Sequence, residues 1–187
     1  MKNRPAGEYW PLPLTVPLMP EETAVGFVSR LAARNGFPNM YALYRLFGID
    51  HLKVHGGNQD ALAVIARLSG ADAEVLATRL FANEKSRFRF GGAPLPVGWC
   101  GAVTSKFCPD CVEADIVSQP NLQPSAAAHQ RWFWRLAPLR RCPDHGIDLI
   151  ELPEISPKQS TDFSCCLNRA LISRQIETLS IWTSNEM

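Results

Sequence analysis

Hydrophobic positions in the first half of the chain repeat with helical periodicity. The first apolar stripe starts after Pro20, which suits the first turn of a helix, and ends before Asn35–Gly36, a left-handed stop signal. Positions spaced three and four residues apart lie on one face of a helix, so this spacing predicts an amphipathic helix. The stripe consists of Ala24, Phe27, Val28, Leu31 and Ala32.

Three further stripes follow at short intervals. They begin near Asn39, Asn58 and Asp72, residues that cap helices, and the first two end at a glycine. Four short helices predict a compact helical domain over residues 20–83. Short helices joined by glycine turns fit a DNA-reading helix-turn-helix and a plain bundle equally well, so both interpretations stay open. The stripes contain Met40, Leu43, Tyr44 and Phe47, then Leu62, Ile65 and Leu68, then Ala73, Leu76, Ala77 and Leu80.

Extended segments flank this helical region. Residues 1–19 are rich in proline and predict an extended arm, whose alternating apolar positions from Trp10 to Val16 either cover the domain's own core or dock a partner. Further on, basic and aromatic residues alternate, which predicts a short strand with a cationic face, followed by a linker at Gly91–Pro96. Such a strand either binds single-stranded nucleic acid or carries solvated arginines over buried phenylalanines. The alternating residues are Lys85, Arg87, Phe88, Arg89 and Phe90.

The C-terminal part contains one more strand and one more helix. Ile147–Leu152 has the composition of a strand, and a polar residue at 160–162 then caps a helix whose apolar stripe begins at Phe163. We expect this helix to belong to an extension over residues 153–187. It must bury its stripe on its own domain or on a partner.

The overall composition is that of a globular chain. Hydrophobic residues make up 46% of the 187 residues, which is enough for packed cores, and the net charge of +1 excludes a strongly basic nonspecific nucleic-acid binder. We find no secretion signal and no apolar run of transmembrane length. We therefore expect a cytoplasmic (bacterial) protein without a membrane partner, in a reducing compartment that keeps its cysteines as thiols.

Two Cys-Pro-Asp turns carry the candidate chemistry. Cys108 and Cys111 are separated by two residues, and Cys142 and His145 repeat that spacing. Each turn brings its first and fourth side chains together, so two turns supply the Cys₃His set of a structural zinc site. Buried thiols or a disulfide are the alternatives, but redox use of a Cys-x-x-Cys pair does not explain the second turn. We expect one structural Zn²⁺ ion.

The same motifs argue against catalysis. Four protein ligands leave a zinc ion no position for water, and the sequence has no His-Glu-x-x-His or similar motif that would supply a general base. We therefore expect no catalytic residues and no enzyme activity. The other cysteines, Cys100, Cys165 and Cys166, lack ligand spacing and are interpreted as small apolar fillers.

Four arginines crowd the segment before the second turn. Because the aromatic residues of Trp132–Trp134 are expected to be buried, the guanidinium groups are expected to point outward and to contact nucleic-acid phosphates or an acidic partner. Alternatively, one or two of them brace the fold against Asp115, Asp144 or Asp148. The candidate binding residues are Arg131, Arg135, Arg140 and Arg141, with Lys85, Arg87 and Arg89 nearby.

Four motifs taken together resemble those of the TniQ family. They are P-x-E-[ET]-x3-F-V-S-R-L-A-x2-N-G from Pro20, F-C-P-x-C-x3-D from Phe107, R-W-F-W-R-L from Arg131 and R-C-P-x-H-G-x2-L from Arg141. The resemblance covers residues 12–152. Members of this family and their larger TnsD-type relatives act as target-selection factors of DNA transposons, including CRISPR-associated ones. The resemblance implies such a role for this chain.

The resemblance implies a helix-turn-helix-type domain followed by zinc modules. Cys108, Cys111, Cys142 and His145 match the family's zinc ligands. Many members have another Cys-Pro-x-Cys pair where this chain has Leu152–Ile155, which offers no cysteine, so a single zinc ion is implied. We find no counterpart in this sequence to the large C-terminal DNA-reading domain of TnsD-type proteins. The resemblance therefore implies a small adaptor.

These patterns predict a mainly α fold with a small zinc-binding module. A helix-turn-helix-like domain at 20–83 precedes a zinc-ribbon or knuckle-like domain with short strands at 84–152. The resemblance implies a transposition target-selection adaptor that links a DNA target, or an RNA-guided CRISPR effector complex, to an AAA+ transposition ATPase and a transposase, with DNA or RNA in the assembly. The alternative is a sequence-specific DNA-binding transcriptional regulator. Whether the chain forms a homodimer stays open.

Overall fold

The computed structural model describes residues 9–84, 87–96, 98–100, 105–152 and 161–172. Within them the fold is mainly helical, with two small antiparallel sheets. The helices are α1 (Ala24–Arg34), α2 (Met40–Leu46), α3 (His51–His55), α4 (Gln59–Ser69), α5 (Ala73–Thr78), α6 (Pro109–Ser118), α7 (Pro124–Ala127), a 3₁₀ helix (Trp132–Arg135) and α8 (Phe163–Ile172). The strands are β1 (Phe81–Glu84), β2 (Arg87–Phe90), β3 (Ala93–Leu95), β4 (Lys106–Phe107) and β5 (Ile150–Glu151).

The N-terminal helices bury the predicted stripes around one core. Thr23 caps α1 by accepting a hydrogen bond from the Gly26 amide at 2.9 Å, as an N-cap residue should. The arm from residue 9 lies on this core, where the Leu12 amide donates to the Leu68 carbonyl at 2.8 Å. The predicted apolar face of the arm is only partly used, because Trp10 stays 85% exposed. Buried core residues include Val16, Phe27, Val28, Leu31, Met40, Leu43, Leu62, Ile65 and Leu76.

Residues 20–83, where four helices were predicted and the backbone is described throughout, contain five, and the prediction missed α3. Asp50 caps this short helix by accepting from the Leu52 amide at 2.9 Å. Only Val54 of its five residues is buried, so there is no apolar stripe to reveal it. Whether any of these helices form a DNA-reading helix-turn-helix stays a prediction.

The predicted strand of alternating basic and aromatic residues exists as β2, but it is the centre of a three-stranded sheet. It pairs with β1 on one side and with β3 on the other, both antiparallel. The expected linker at Gly91–Pro96 is therefore wrong, since most of it is a hairpin turn and β3. The turn needs glycine because Gly91 and Gly92 have φ values of 57° and 82°.

A second core surrounds β4, β5, α6 and the 3₁₀ helix, and α8 packs on it. The predicted strand near Ile147–Leu152 is present as the short β5, which pairs with β4. Phe163 and Leu167 of α8 are fully buried beside Trp134, so this helix buries its stripe within the chain, as one of the two alternatives stated. The predicted boundaries between domains stay predictions.

The two cores are joined by buried polar contacts. Within the N-terminal region, Glu22 holds Arg30 of α1 in an ion pair of 2.8 Å in which both side chains are fully buried. Arg30 also donates from Nε to the Ala126 carbonyl at 2.8 Å. On α8's side, Asp162 accepts from the Ser29 hydroxyl and, at 2.6 Å, from the Met40 amide. The first helix is thus fixed to segments more than ninety positions away.

Among the described residues, no helix has both the length and the apolar character needed to cross a membrane.

Candidate metal centre

The two Cys-Pro-Asp turns meet in space. The ligand atoms of Cys108, Cys111, Cys142 and His145 all lie within 4.8 Å of one another. The Cys111 and Cys142 sulfurs are 3.6 Å apart, and His145 Nδ1 lies 3.3 Å from the Cys111 sulfur and 3.5 Å from the Cys108 sulfur. All three cysteines are buried, whereas His145 is exposed. These four residues can therefore bind one metal ion.

The spacing of the ligand atoms fits a tetrahedral ion. Zinc binds sulfur at about 2.3 Å and nitrogen at about 2.0 Å, and tetrahedral angles then separate two sulfurs by about 3.8 Å and a sulfur from a nitrogen by about 3.5 Å. The observed sulfur–sulfur distance of 3.6 Å and the sulfur–nitrogen distances of 3.3, 3.5 and 3.7 Å lie close to those values. The ligand set is thus already arranged for a metal.

Backbone geometry explains why the ligands converge. Cys108 is the N-cap of α6 and Cys111 lies in its first turn, so both sulfurs are at the helix N-terminus, where the helix dipole favours negative charge. In the second turn the Gly146 amide donates to the Cys142 carbonyl at 2.8 Å, and Gly146 has a φ of 67°. The β4–β5 pairing holds the two turns side by side.

The electrostatics of the thiols favour a bound cation. Burial raises the pKa of the Cys108 thiol and of the Cys111 thiol from their ordinary values. For Cys142 burial acts in the same direction, but hydrogen bonds from His145 and from the Asp144 amide outweigh it and lower the pKa. Metal binding needs thiolates, and burial disfavours the negative charge of a thiolate. The positive charge of a bound cation would offset this effect.

Asp115 anchors the second layer around the site. It lies on α6, and its two carboxylate oxygens accept from the Arg131 guanidinium at 3.1 Å each. The His129 amide also donates to Asp115 at 3.1 Å. Hydrogen bonds from His129 and Arg131 overcome the effect of burial and hold the pKa of Asp115 below its usual value.

The structure separates the four clustered arginines into two groups. Arg131 is only 9% exposed and is paired with Asp115, so the expectation that all four guanidinium groups point outward is wrong for this residue. Its carboxylate partner lies one helical turn beyond Cys111 and draws it inward. Arg135 is half-buried against the Phe81 ring, whereas Arg140 and Arg141 are exposed.

Three predicted binding residues, Lys85, Arg87 and Arg89, lie apart from the metal ligands in sequence. Lys85 falls outside the described residues, and for Arg87 only its place in β2 is described. Arg89 is exposed, and its guanidinium donates to the Gly92 carbonyl at 2.6 and 3.0 Å.

Arg141 forms an exposed ion pair of 2.9 Å with Asp148, one of the bracing partners considered above. A binding role stays a prediction for Arg141, as it does for Lys85, Arg87 and Arg89.

Sequence reasoning missed one buried charge near the site. Lys106 is only 4% exposed, and its ammonium group donates to the Leu136 and Leu139 carbonyls at 2.7 and 2.6 Å. It ties β4 to the segment that follows the 3₁₀ helix. No motif distinguishes this lysine from a surface one, because its acceptors are backbone carbonyls thirty positions away.

The comparisons with known proteins give one match. The profile of the family described as TniQ matches residues 13–149, which is most of the chain. No curated protein and no solved structure shows a significant match. All four motifs that carried the resemblance lie within the matched range, and two of them contain the metal ligands. The chain belongs to the TniQ family.

Proposed function

We propose that this chain is a non-enzymatic adaptor for transposition target selection. Family membership implies a transposition-associated role, and the TniQ match over residues 13–149 is the observation that carries the proposal. The adaptor links a DNA target or an RNA-guided effector complex to an AAA+ ATPase that recruits transposase. This link between target, ATPase and transposase is inferred from the resemblance to the TniQ family.

We propose Zn²⁺ as the resident metal. The ligand set of three thiolates and one imidazole is soft, and the near-tetrahedral spacing suits zinc better than oxygen-preferring ions such as Mg²⁺ or Ca²⁺. Bound zinc supplies charge neutralisation and a rigid link between two turns. With all four positions taken by protein, the site holds no water for hydrolysis, which supports a structural role.

The exposed pair Arg140 and Arg141 is the contact face we propose for a partner. Both directly precede the metal ligand Cys142, so the metal restricts their backbone. Rigid presentation reduces the entropy lost on binding, and guanidinium forks suit carboxylates of the ATPase or nucleic-acid phosphates. Arg131 belongs to the scaffold behind this face and not to the face itself.

A capture experiment tests the adaptor function. Purified, zinc-loaded protein is immobilised, and retention of the AAA+ ATPase encoded beside the transposase of the same element is measured with and without target DNA. The wild type should retain the ATPase. Charge reversal at Arg140 and Arg141 should reduce retention, whereas reversal at Arg45 and Arg169, two exposed arginines elsewhere, should not. Equal retention by both double variants contradicts the proposed face, and no retention by the wild type contradicts the adaptor function.

A further inference from the structure

Arg135 lines a small cleft beside the three-stranded sheet. Its guanidinium carbon lies 5.1 Å from the centroid of the Phe81 ring, which is a cation–π distance. Together with Phe88 and Cys100, these residues enclose about 50 Å³. We call this space, lined by Phe81, Phe88, Cys100 and Arg135, the Arg135 cleft.

The charge of Arg135 is not neutralised within the described part of the chain. Among the described side chains, no carboxylate forms an ion pair with it. Burial lowers its pKa, and the groups that oppose this shift are the Cys100 thiol and the Tyr41 hydroxyl. Both are neutral at pH 7, because burial raises the pKa of each. Arg131 differs, since Asp115 neutralises it through two hydrogen bonds.

Phe81, which contacts Arg135, begins a run of contacting aromatic side chains. Phe81 contacts Phe90 at a centroid distance of 4.8 Å, and Phe90 stacks on Trp132 at 4.9 Å. Trp99 is 40% exposed, and its carbonyl accepts from the Ala137 amide at 2.8 Å, which places it alongside the segment that carries Arg135. Within the described residues, the cleft therefore has a guanidinium without a carboxylate partner, and partly exposed Trp99 directly precedes the lining residue Cys100.

The size and chemistry of the cleft select its ligand. With a volume of about 50 Å³, the cleft is small and has room for a compact group such as one phosphate. The planar guanidinium matches the phosphate oxygens, and an exposed aromatic ring offers a stacking surface for an adjoining base. An acidic peptide would use only the first of these features, and a duplex keeps its bases stacked inside.

We propose that the Arg135 cleft binds a backbone phosphate of single-stranded nucleic acid, with a neighbouring base stacked on Trp99. The proposal deepens the adaptor function, on which it rests for its biological meaning. The cleft residues Phe81, Phe88 and Cys100 offer no strong hydrogen-bonding group to a ribose hydroxyl. RNA and DNA strands therefore bind alike.

Fluorescence anisotropy of the full-length, zinc-loaded protein measures this binding. The probes are oligothymidine, oligouridine and a duplex, each of about 12 nucleotides, and an oligoglutamate peptide. Arg135→Gln should weaken single-strand binding about 10-fold or more, because the phosphate loses its charged fork. Arg169→Gln, which removes the same charge from an exposed position on α8, should change it less than about 3-fold, and the duplex and peptide should bind more weakly.

A second measurement needs no variant. Cys100 lines the cleft, so oligothymidine or oligouridine should slow its alkylation by a maleimide, whereas half-buried Cys165 on α8 serves as the internal reference. Unchanged Cys100 alkylation at saturating oligonucleotide overturns the proposal, even if Arg135→Gln fails to fold. Equal losses in Arg135→Gln and Arg169→Gln, preference for oligoglutamate, or no single-strand binding also overturn it. ATPase capture is scored separately, so either result can fail while the other holds.

Discussion

The core of the N-terminal helices α1–α5 (the helical core) and the core around the metal ligands (the metal-centre core) are stabilised in different ways. The first buries a continuous set of aliphatic and aromatic side chains, including Phe27, Leu31 and Ile65. The second has apolar residues too, but three of its buried members are the cysteines of the metal site. Apolar burial is spread over many residues, whereas metal ligation depends on four. The helical core should therefore weaken gradually under mutation, and the metal-centre core should fail at a single position.

The largest expected effect is loss of a metal ligand. Cys142→Ser should release the ion and unfold the metal-centre core, because ligation of a structural zinc contributes on the order of 10 kcal/mol to folding. The helical core should remain, as shown by protected amides in α1 and α4 by hydrogen exchange. Cys165→Ser, outside the cluster, is the matched control and should keep the metal. Protection lost throughout the chain would show that the two cores do not differ in this way.

The next effect concerns the buried ion pair between Glu22 and Arg30 in the N-terminal helical region. Glu22→Gln leaves the buried Arg30 charge unpaired and should lower the free energy of unfolding by about 3–5 kcal/mol. Urea unfolding measures this loss. Replacing both residues by methionine should recover much of it, since no buried charge then remains. A double variant as unstable as Glu22→Gln would contradict this explanation.

Acid should destabilise the helical core because unfolding allows His55 to be protonated. Burial, with Arg135 and His51 nearby, lowers the pKa of His55 from 6.5 to about 4. The unfolded state therefore binds a proton that the folded state does not, and stability should fall as pH drops from 6.5 to 4, by on the order of 3 kcal/mol. His55→Leu should flatten urea-unfolding midpoints across this window. An unchanged pH slope would show that other groups cause it.

The smallest expected effect is at the exposed ion pair. Arg141 and Asp148 are both mostly exposed, and such pairs contribute at most about 1 kcal/mol. Arg141→Gln should therefore leave the melting temperature and metal content nearly unchanged. A large drop in melting temperature would assign Arg141 to the scaffold and not to a contact face.

The two cores also differ in how far the sequence predicted them. Helical periodicity identified α1, α2, α4 and α5, because each has a stripe to bury, and it missed α3, which has none. The ligand cluster was predicted from spacing alone. In Cys-x-x-Cys and Cys-x-x-His turns the first and fourth side chains converge, so the motif itself names the ligands.

The sequence offered Asp115 and Asp148 as partners for the clustered arginines, and both form ion pairs, but it did not show which arginine turns inward. Nothing local tells Arg131, which Asp115 draws inward, from Arg140, which stays in solvent. The same holds for β3, whose pairing with β2 depends on where the chain folds back at Gly91. His129 is likewise buried beside a distant partner, because its amide donates to Asp115.

Metal analysis of the purified protein tests the central claim most directly. Protein prepared without chelator is quantified by amino-acid analysis, and its metals are measured by inductively coupled plasma mass spectrometry beside Cys142→Ser. The account predicts one zinc ion per chain in the wild type and none in the variant. Two zinc ions per chain, no zinc, or full zinc content in Cys142→Ser would contradict it.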